Sequence, residues 1–229
     1  MVRIVDGVYQ VSKGVNSFII DGDGGVVLID AGLPRFHGSI EKGLNGIGRS
    51  ILDVRAVLIT HAHIDHVGGL ARIRGGSGAE VYASTGDAPA VEGEVPVTLP
   101  PFVDRMPVIR PVFRLMPRAT PVDEDHRVSP GPIDDLPEDL TVIGTPGHTP
   151  GHVSFLLDRS GGVMFVGDAA TRSRGGEIRR GWMNRATPQF DESLRRLAEH
   201  EFEVACFGHA APITEAASSM FQRFVTSIR

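Results

Sequence analysis

The sequence predicts a mixed α/β fold of α+β type with four layers in αββα order, two β-sheets face to face and helices outside. Strand-like runs form two groups, one before residue 61 and one after residue 139. Each group is followed by stretches with helical periodicity. Because a sheet and a helix must each bury an apolar face, two such halves pack sheet against sheet. No linker divides the 229 residues, so we expect a single domain over 1–229.

The first half begins as a meander of short strands. Apolar and β-branched residues occupy 8–11, 17–20 and 26–29, with Gly and Asp between them, which is typical of strands joined by tight turns. A modest helix is predicted over 36–47, and the apolar run 56–60 is a strand that stops at His61. Apolar residues then recur at helical spacing, which predicts one helix from Asp65 to the glycines at 75 and 76. Residues 61–66 therefore form a strand-to-helix turn.

The middle of the chain differs in composition. Eleven of the sixteen prolines lie within residues 87–137, and each removes a backbone donor and disfavours helix in the residue before it. We interpret 87–137 as a proline-rich insertion in the domain. It could be a lid over a site, a contact in a homodimer, or part of the core.

Strand character returns in the second half over 140–144, 153–157 and 163–166, with a Ser-Gly-Gly hairpin turn at 160–162. Asp168 comes just after the third of these strands. Residues 189–200 predict an amphipathic helix. A last strand over 203–207 and a last helix over 213–228 complete the prediction.

Composition narrows the possible partners. The formal charge is −5 with a pI near 6.0, so no global positive field draws the chain to nucleic acid or anionic lipid. No stretch approaches the roughly 18 apolar residues of a membrane span, and residues 1–11 do not look like a secretory leader. We therefore expect a cytoplasmic protein with a small-molecule substrate. One cysteine, Cys206, excludes an internal disulfide and a thiolate cluster, so any metal must be held by histidine and carboxylate.

Four potential metal ligands share the turn after the 56–60 strand. They are His61, His63, Asp65 and His66. Neighbouring helical side chains point about 100° apart, so the cluster is too crowded to surround one tetrahedral ion and fits two ions better. A lone Asp65 could equally be a first-turn acid that favours the helix dipole, but that does not explain three histidines beside it.

Residues 60–69, Thr-His-Ala-His-Ile-Asp-His-Val-Gly-Gly, resemble the signature of metallo-β-lactamase-fold hydrolases, in particular the glyoxalase II-like and lactonase-like members with an all His/Asp dinuclear site. Further matches follow in the family's order at 144–152, at Gly167-Asp168 and at Gly208-His209, and residues 28–32 resemble its early strand-to-loop element. The resemblance covers nearly the whole chain and implies the four-layer metallo-β-lactamase sandwich.

The resemblance also implies a ligand set for two divalent ions, with zinc expected and iron or manganese as alternatives. One ion would be held by His61, His63 and His148, and the other by Asp65, His66 and His209. Asp168 would bridge them, and Asp65 and Asp168 would be the carboxylates of the catalytic centre. Asp30 and His152 would support the ligands without binding metal.

A centre of this kind implies hydrolysis of an ester, thioester or lactone bond of a small organic substrate by a metal-bridging hydroxide. No serine lies in a G-x-S-x-G elbow, so covalent catalysis is the weaker hypothesis. Two alternatives stay open. One is a persulfide dioxygenase with a single iron, whose family has similar motifs, and the other is a non-catalytic metal-binding protein.

Departures from the subfamilies leave the substrate open. Acyl-glutathione hydrolases carry a helical extension after the last ligand, whereas twenty residues follow His209 here, and many lactonases have a tyrosine where this chain has Thr171. Two segments could set specificity: 102–118, which alternates apolar residues with arginine, and the arginine-rich 171–185. Each could instead pack on the body or be solvated. The candidate substrate contacts are Thr171, Arg172, Arg174 and Phe113.

Overall fold

The computed structural model describes residues 1–97, 119–136, 138–181, 184 and 188–228. Its first sheet has seven strands in sequence order, antiparallel from β1 to β4 and parallel from β4 to β7. They are β1 (Val2–Val5), β2 (Val8–Ser12), β3 (Asn16–Gly22), β4 (Gly25–Ile29), β5 (Val54–Leu58), β6 (Glu80–Ser84) and β7 (His126–Val128).

Among the described residues, four α-helices and one 3-10 turn connect the parallel strands of this sheet. They are α1 (His37–Asn45), the 3-10 turn Ile51–Asp53, α2 (Ile64–Val67), α3 (Leu70–Ser77) and α4 (Ala88–Val91). The single helix predicted after Asp65 is wrong in one respect, because it is broken between α2 and α3. The break lies at Gly68 and Gly69, where the backbone of residues 31–34 packs directly against the chain.

In the part of the chain that the structure describes, the second sheet contains five strands in the order β14-β11-β10-β9-β8. They are β8 (Gly131–Pro132), β9 (Leu140–Gly144), β10 (Val153–Leu157), β11 (Val163–Gly167) and β14 (Val204–Phe207), with a separate hairpin of β12 (Ala170–Arg172) and β13 (Ile178–Arg180). Helices α5 (Pro188–Ala198) and α6 (Ala217–Ser227) follow. The last helix begins later than predicted because Ile213 exchanges backbone hydrogen bonds with Ala205.

Three buried apolar clusters fill the spaces between four layers. One lies between the first sheet and helices α1 and α3, the second between the two sheets, and the third between the second sheet and helices α5 and α6. In the middle cluster the rings of Phe18 and Phe165 meet with their centroids 5.2 Å apart. The predicted αββα sandwich is therefore confirmed.

The described part of the proline-rich segment is tied to the first sheet. Val122 is buried in the helix-side cluster, and Asp125 accepts a hydrogen bond from the Val81 amide at 2.8 Å. Strand β7 then pairs in parallel with β6. Residues 119–136 are thus packed against the first sheet. The lid and dimer-contact hypotheses for 87–137 stay predictions, since 98–118 lie outside the described residues. None of the helices in the described ranges is long and apolar enough to cross a membrane.

Candidate metal centre

The seven predicted ligands come from loops at one edge of the sandwich. His61, His63, Asp65 and His66 lie in the turn after β5 and in α2. His148, Asp168 and His209 follow β9, β11 and β14. Those three strands run in the same direction, so their carboxyl ends meet at the same edge of the second sheet. The folded chain therefore brings together ligand-type residues that are up to 148 positions apart, from 61 to 209.

The ligand atoms form three overlapping groups. In each group the atoms lie within 4.8 Å of one another. The groups are His61, His63 and His148; His61, His66 and Asp168; and Asp65, His66 and His209. The first and third of these are the two sets that the family resemblance implies.

Asp168 lies between the two outer groups. Its carboxylate is 3.6 Å from Nε2 of His148, 3.7 Å from Nε2 of His66 and 3.3 Å from Nε2 of His209. Of its two oxygens, Oδ1 faces His66 and Oδ2 faces His148 and His209. A carboxylate in this position is within reach of ions held by either group.

Two buried imidazole nitrogens without a hydrogen-bond partner in the described part of the chain are evidence that this cluster binds a metal ion. Nε2 of His61 and Nε2 of His66 are both inaccessible to solvent and have no hydrogen-bond partner among the described residues. Buried polar atoms in native proteins are nearly always satisfied, and an unpaired one calls for a water or an ion. Both nitrogens belong to the ligand groups, so the donor set fits divalent cations bound by nitrogen and oxygen.

The first group, His61, His63 and His148, is electrostatically suited to binding a cation. Burial, and then the neighbouring imidazoles, lower the pKa of His61 well below its ordinary value. Burial also lowers the pKa of His148 to about 4, although the charge of Asp168 acts in the opposite direction. The imidazoles of His61 and His148 are therefore neutral near pH 7, which is the form that binds metal.

The second group, Asp65, His66 and His209, is strongly charged. Burial alone would lower the pKa of His66, but the charges of Asp30 and Asp168 outweigh it and raise that pKa to about 9. Burial opposes the ionisation of Asp65, but the hydrogen bond from His209 and the charge of His66 lower its pKa to about 2. Positive charge is thus favoured at this point, whether protons or a cation supply it.

Asp30 supports His66 from behind. One of its oxygens, Oδ2, lies 2.7 Å from Nδ1 of His66 and accepts a hydrogen bond from the Thr60 hydroxyl, while Oδ1 accepts one from the Thr60 amide. Asp30 is 1% exposed and has a positive φ of 60°, a conformation that non-glycine residues adopt rarely. The contacts fix the ring of His66 with Nε2 towards the centre.

His152 lies behind Asp168 and does not take part in any of the three ligand groups. Its Nε2 accepts a hydrogen bond from the Asp168 amide at 3.0 Å, and its Nδ1 lies 2.8 Å from the Thr145 hydroxyl. Since Nε2 is an acceptor here, the proton is on Nδ1 and the ring is neutral. Burial lowers the pKa of His152 well below its ordinary value, which agrees with that state.

Asn184 makes a contact with the candidate metal centre that the sequence did not predict. Its Oδ1 lies 2.8 Å from Nδ1 of His148, and its amide donates to the backbone oxygens of Asp168 and Gly181. It therefore connects two of the ligand residues. No spacing or motif marks it, because the contact depends on the tertiary fold that places Asn184 beside His148.

Of the four residues predicted to contact substrate, three lie in the described part of the chain, in β12 and the turn that follows it. Thr171 and Arg172 belong to β12, next to Asp168 in sequence, and Arg174 is exposed in the following turn. The Arg172 guanidinium donates to the backbone oxygens of Pro212 and Gly176. Phe113 lies outside the described residues.

Both the sequence and the fold relate this chain to known proteins. The sequence profile described as the metallo-beta-lactamase superfamily matches residues 13–209. The chain belongs to this superfamily. A solved metallo-β-lactamase of Cronobacter sakazakii with the HARLDQ motif has the same fold, with a TM-score of 0.72 and 25% identity over 90% of this chain and 76% of that one.

Two curated relatives are named as hydrolases. The chain is 29% identical over 211 residues to the probable metallo-hydrolase YflN of Bacillus subtilis, covering 82% of this chain and 76% of YflN. It is 32% identical over 155 residues to a hydroxyacylglutathione hydrolase of Cereibacter sphaeroides, covering 67% of this chain. The match spans about half of that protein, 47% of its length. The superfamily and the His/Asp cluster identify the chain as a metal-dependent hydrolase.

Proposed function

We propose that this metallo-β-lactamase superfamily member is a dinuclear hydrolase that cleaves an ester, thioester or lactone bond of a small organic substrate. The observation that carries the proposal is the convergence of five histidines and two aspartates, with the buried Nε2 atoms of His61 and His66 unpaired. His61, His63 and His148 would hold one ion, and Asp65, His66 and His209 the other. Asp168 would contact both.

Zinc is the metal we expect, since it favours sites of histidine and carboxylate, with iron and manganese as alternatives. When bound, two divalent cations would polarise an acyl carbonyl and lower the pKa of a coordinated water from nearly 16 towards about 7. Seven side chains with two carboxylates leave part of the charge of two dications uncompensated, which favours an anionic nucleophile and a developing oxyanion.

The chain's own contribution is to hold these ligands in place before substrate arrives. Asp30 orients His66, His152 accepts the amide hydrogen of Asp168, and Asn184 contacts the ring of His148. Of the ligand residues, His209 is exposed, and His63 and Asp65 are half-buried. The side from which a substrate can approach is therefore next to these three residues.

A thioester is the first substrate class to test. The relatives at 26–32% identity include hydroxyacylglutathione hydrolases of Cereibacter and Xanthomonas, whose name gives an acyl-glutathione as the compound hydrolysed. The chain spans 47% to 63% of the length of those proteins. Binding of the tripeptide portion of such a substrate is therefore tested separately from hydrolysis of the acyl bond at the metal centre.

Metal content and a substrate panel test the proposal together. Plasma mass spectrometry of the zinc-reconstituted chain should give two ions per chain. Asp168→Ala should lose at least one ion and lower kcat/KM by more than about 100-fold, beyond the 10- to 100-fold typical of residues behind the ligands. Asp158→Ala, at an exposed position just after β10, is the matched control and should retain both ions.

The panel should contain an acyl-glutathione thioester, a lactone and an aryl ester, with product formed in ¹⁸O-labelled water. Incorporation of one labelled oxygen into the carboxylate is expected, without a covalent acyl-enzyme. The persulfide dioxygenase alternative predicts iron-dependent oxygen uptake with glutathione persulfide. That uptake, together with no turnover of any ester by either metal form, would overturn the hydrolase proposal.

A further inference from the structure

A buried carboxylate that belongs to none of the ligand groups lies beside the first of them. Asp87, in the turn between β6 and α4, is 3% exposed. Its Oδ2 accepts hydrogen bonds from the Ala62 amide at 2.9 Å and from the Thr149 hydroxyl at 2.6 Å. Its Oδ1 accepts one from the Gly151 amide at 2.8 Å.

These three donors belong to the two loops that carry the first ligand group. Ala62 lies between His61 and His63, and Thr149 directly follows His148. The first loop leaves the first sheet and the second loop connects β9 to β10 of the other sheet. Asp87 is therefore a direct polar link between the two loops, and it acts on backbone and hydroxyl groups without touching an imidazole.

Close backbone packing holds the carboxylate in this position. A Cβ atom on Gly151 would lie 2.3 Å from the Asp87 amide nitrogen, and one on Gly86 would lie 2.7 Å from Cα of Gly151. Only glycine allows such an approach without displacing the backbone. The Ser84 hydroxyl also donates to the Gly151 carbonyl and accepts from the Asp87 amide. The turn at 84–87 and the loop at 147–151 are thus fixed relative to each other.

Asp30 and Asp87 are both buried carboxylates, but they serve different ligand groups. Asp30 contacts the ring of His66, a member of the second group. Asp87 contacts both loops that carry the first group, at Ala62 and at Thr149. This difference allows the two groups to be perturbed separately.

We propose that Asp87 is a positioning residue that sets the distance between His148 and the His61–His63 pair, and thereby the affinity of the first ion. The inference rests on the proposed function, because it takes the three histidines as a metal site. All three groups facing the carboxylate are donors, so it is satisfied only as an acceptor.

Asp87→Asn tests this with almost no change of shape. An asparagine side chain has one oxygen, so its NH₂ group must face either the Gly151 amide or the Ala62 amide and the Thr149 hydroxyl. A buried donor then opposes another donor, and the loops must move apart. We expect the affinity of the first ion to fall about 10- to 100-fold, the effect typical of residues behind a metal ligand. The affinity of the second ion should stay within about twofold of its wild-type value by the same reasoning.

Thr149→Val is the milder second variant, because it removes one of the three donors and keeps the carboxylate. It should lower the affinity for the first ion by a smaller factor than Asp87→Asn does. Asp125→Asn is the matched control, since Asp125 also accepts from a backbone amide, that of Val81, but lies away from the ligand loops. It should leave both affinities unchanged.

The experiment is a chelator-competition titration with zinc, followed by the visible spectrum of the cobalt-substituted protein. His148→Ala and His209→Ala provide reference patterns for damage to the first and second groups. Asp87→Asn should reproduce the pattern of His148→Ala in weaker form, with an altered cobalt spectrum that Asp125→Asn does not show. Thermal unfolding of each metal-free variant shows whether the fold is retained.

Unchanged first-ion affinity in both Asp87→Asn and Thr149→Val would overturn the inference. So would an equal loss of both ions, which would show that Asp87 only stabilises the fold. If Asp87→Asn fails to fold, Thr149→Val alone decides. A wild-type chain that binds a single ion would contradict the dinuclear proposal instead, and the inference would then depend on whether both variants weaken that ion.

Discussion

Each imidazole of the candidate centre except His63 has its Nδ1 held by an oxygen, which leaves Nε2 free to face the other ligands. The oxygens are the hydroxyl of Thr60 for His61, the carboxylate of Asp30 for His66, the amide of Asn184 for His148 and the carbonyl of Gly14 for His209. His63 differs, because its Nδ1 lies 2.8 Å from Nε2 of His148. Contacts of this kind select the tautomer and orientation of a metal-binding histidine.

Asn184→Ala should therefore lower the affinity for the first ion without unfolding the protein. His148 loses the partner of its Nδ1, and the backbone oxygen of Asp168 loses a donor. We expect metal affinity and kcat/KM to fall about 10- to 100-fold, with a loss of no more than about 1–2 kcal/mol in the free energy of unfolding. Zinc competition, steady-state kinetics and urea unfolding measure the three quantities. Asn45→Ala, at the exposed end of α1, is the control, and an equal response in both variants would contradict the prediction.

The seven candidate ligands could be named from the sequence because the family resemblance marks them. Four share one six-residue turn, and the other three each follow a glycine in a motif similar to the family's. Asp87 and Asn184 could not be named in this way. Each is a single polar residue whose role depends on distant contacts, 62 positions from Asp87 to Thr149 and 36 from Asn184 to His148. Local periodicity carries no information about such pairs.

At the scale of elements, the strands that were predicted lie close to observed ones, but β6, β7, β8 and the β12–β13 hairpin were not predicted. One predicted helix was wrong. Residues 64–77 have helical apolar spacing, but two glycines break them into α2 and α3. Here the turn after β4 approaches the helix backbone. The Ala31 amide donates to the His66 carbonyl at 2.7 Å, and the Gly69 amide donates to the Gly32 carbonyl at 3.0 Å. Tertiary hydrogen bonds therefore override the local helical pattern, and they also tie the residue that follows Asp30 to the backbone of His66.

Two glycines of this region should respond in opposite directions to alanine. A Cβ on Gly69 would lie 2.3 Å from the Ala31 carbonyl oxygen, whereas one on Gly75 in α3 would have no atom within 4 Å. Gly69→Ala should lower the free energy of unfolding by about 1–3 kcal/mol through overpacking. Gly75→Ala should raise it by about 0.5–1 kcal/mol through helix propensity. Urea unfolding of the metal-free proteins compares them, and a Gly69→Ala variant as stable as Gly75→Ala would refute the close approach.

At the scale of the whole molecule, the centre joins the two halves of the sandwich. His61, His63, Asp65 and His66 follow a strand of the first sheet, while His148, Asp168 and His209 follow strands of the second. The apolar cluster between the sheets links the same halves through contacts such as Phe18 with Phe165. The two-sheet architecture was predictable because apolar runs mark buried strands. The proline-rich segment was harder, because prolines do not reveal that residues such as Val122 enter the core.

Removal of metal should consequently destabilise the whole chain and not one half. Without ions, Nε2 of His61 and Nε2 of His66 are buried and unpaired at the point where the halves meet. An ion at a free concentration 100 times its dissociation constant stabilises the folded state by about 2.7 kcal/mol. For a chain of this size that corresponds to an increase in Tm of roughly 5–10 °C for each ion, or about 10–20 °C for the two proposed ions. Calorimetry of the chelator-treated protein, before and after zinc is restored, should show one transition that moves by this amount.

The double variant His148→Ala/His209→Ala is the control. It lacks a ligand from each outer group, so its unfolding temperature should respond little to zinc. A wild-type transition that does not move, or that splits into a zinc-sensitive and a zinc-insensitive part, would show that the ions do not couple the two halves.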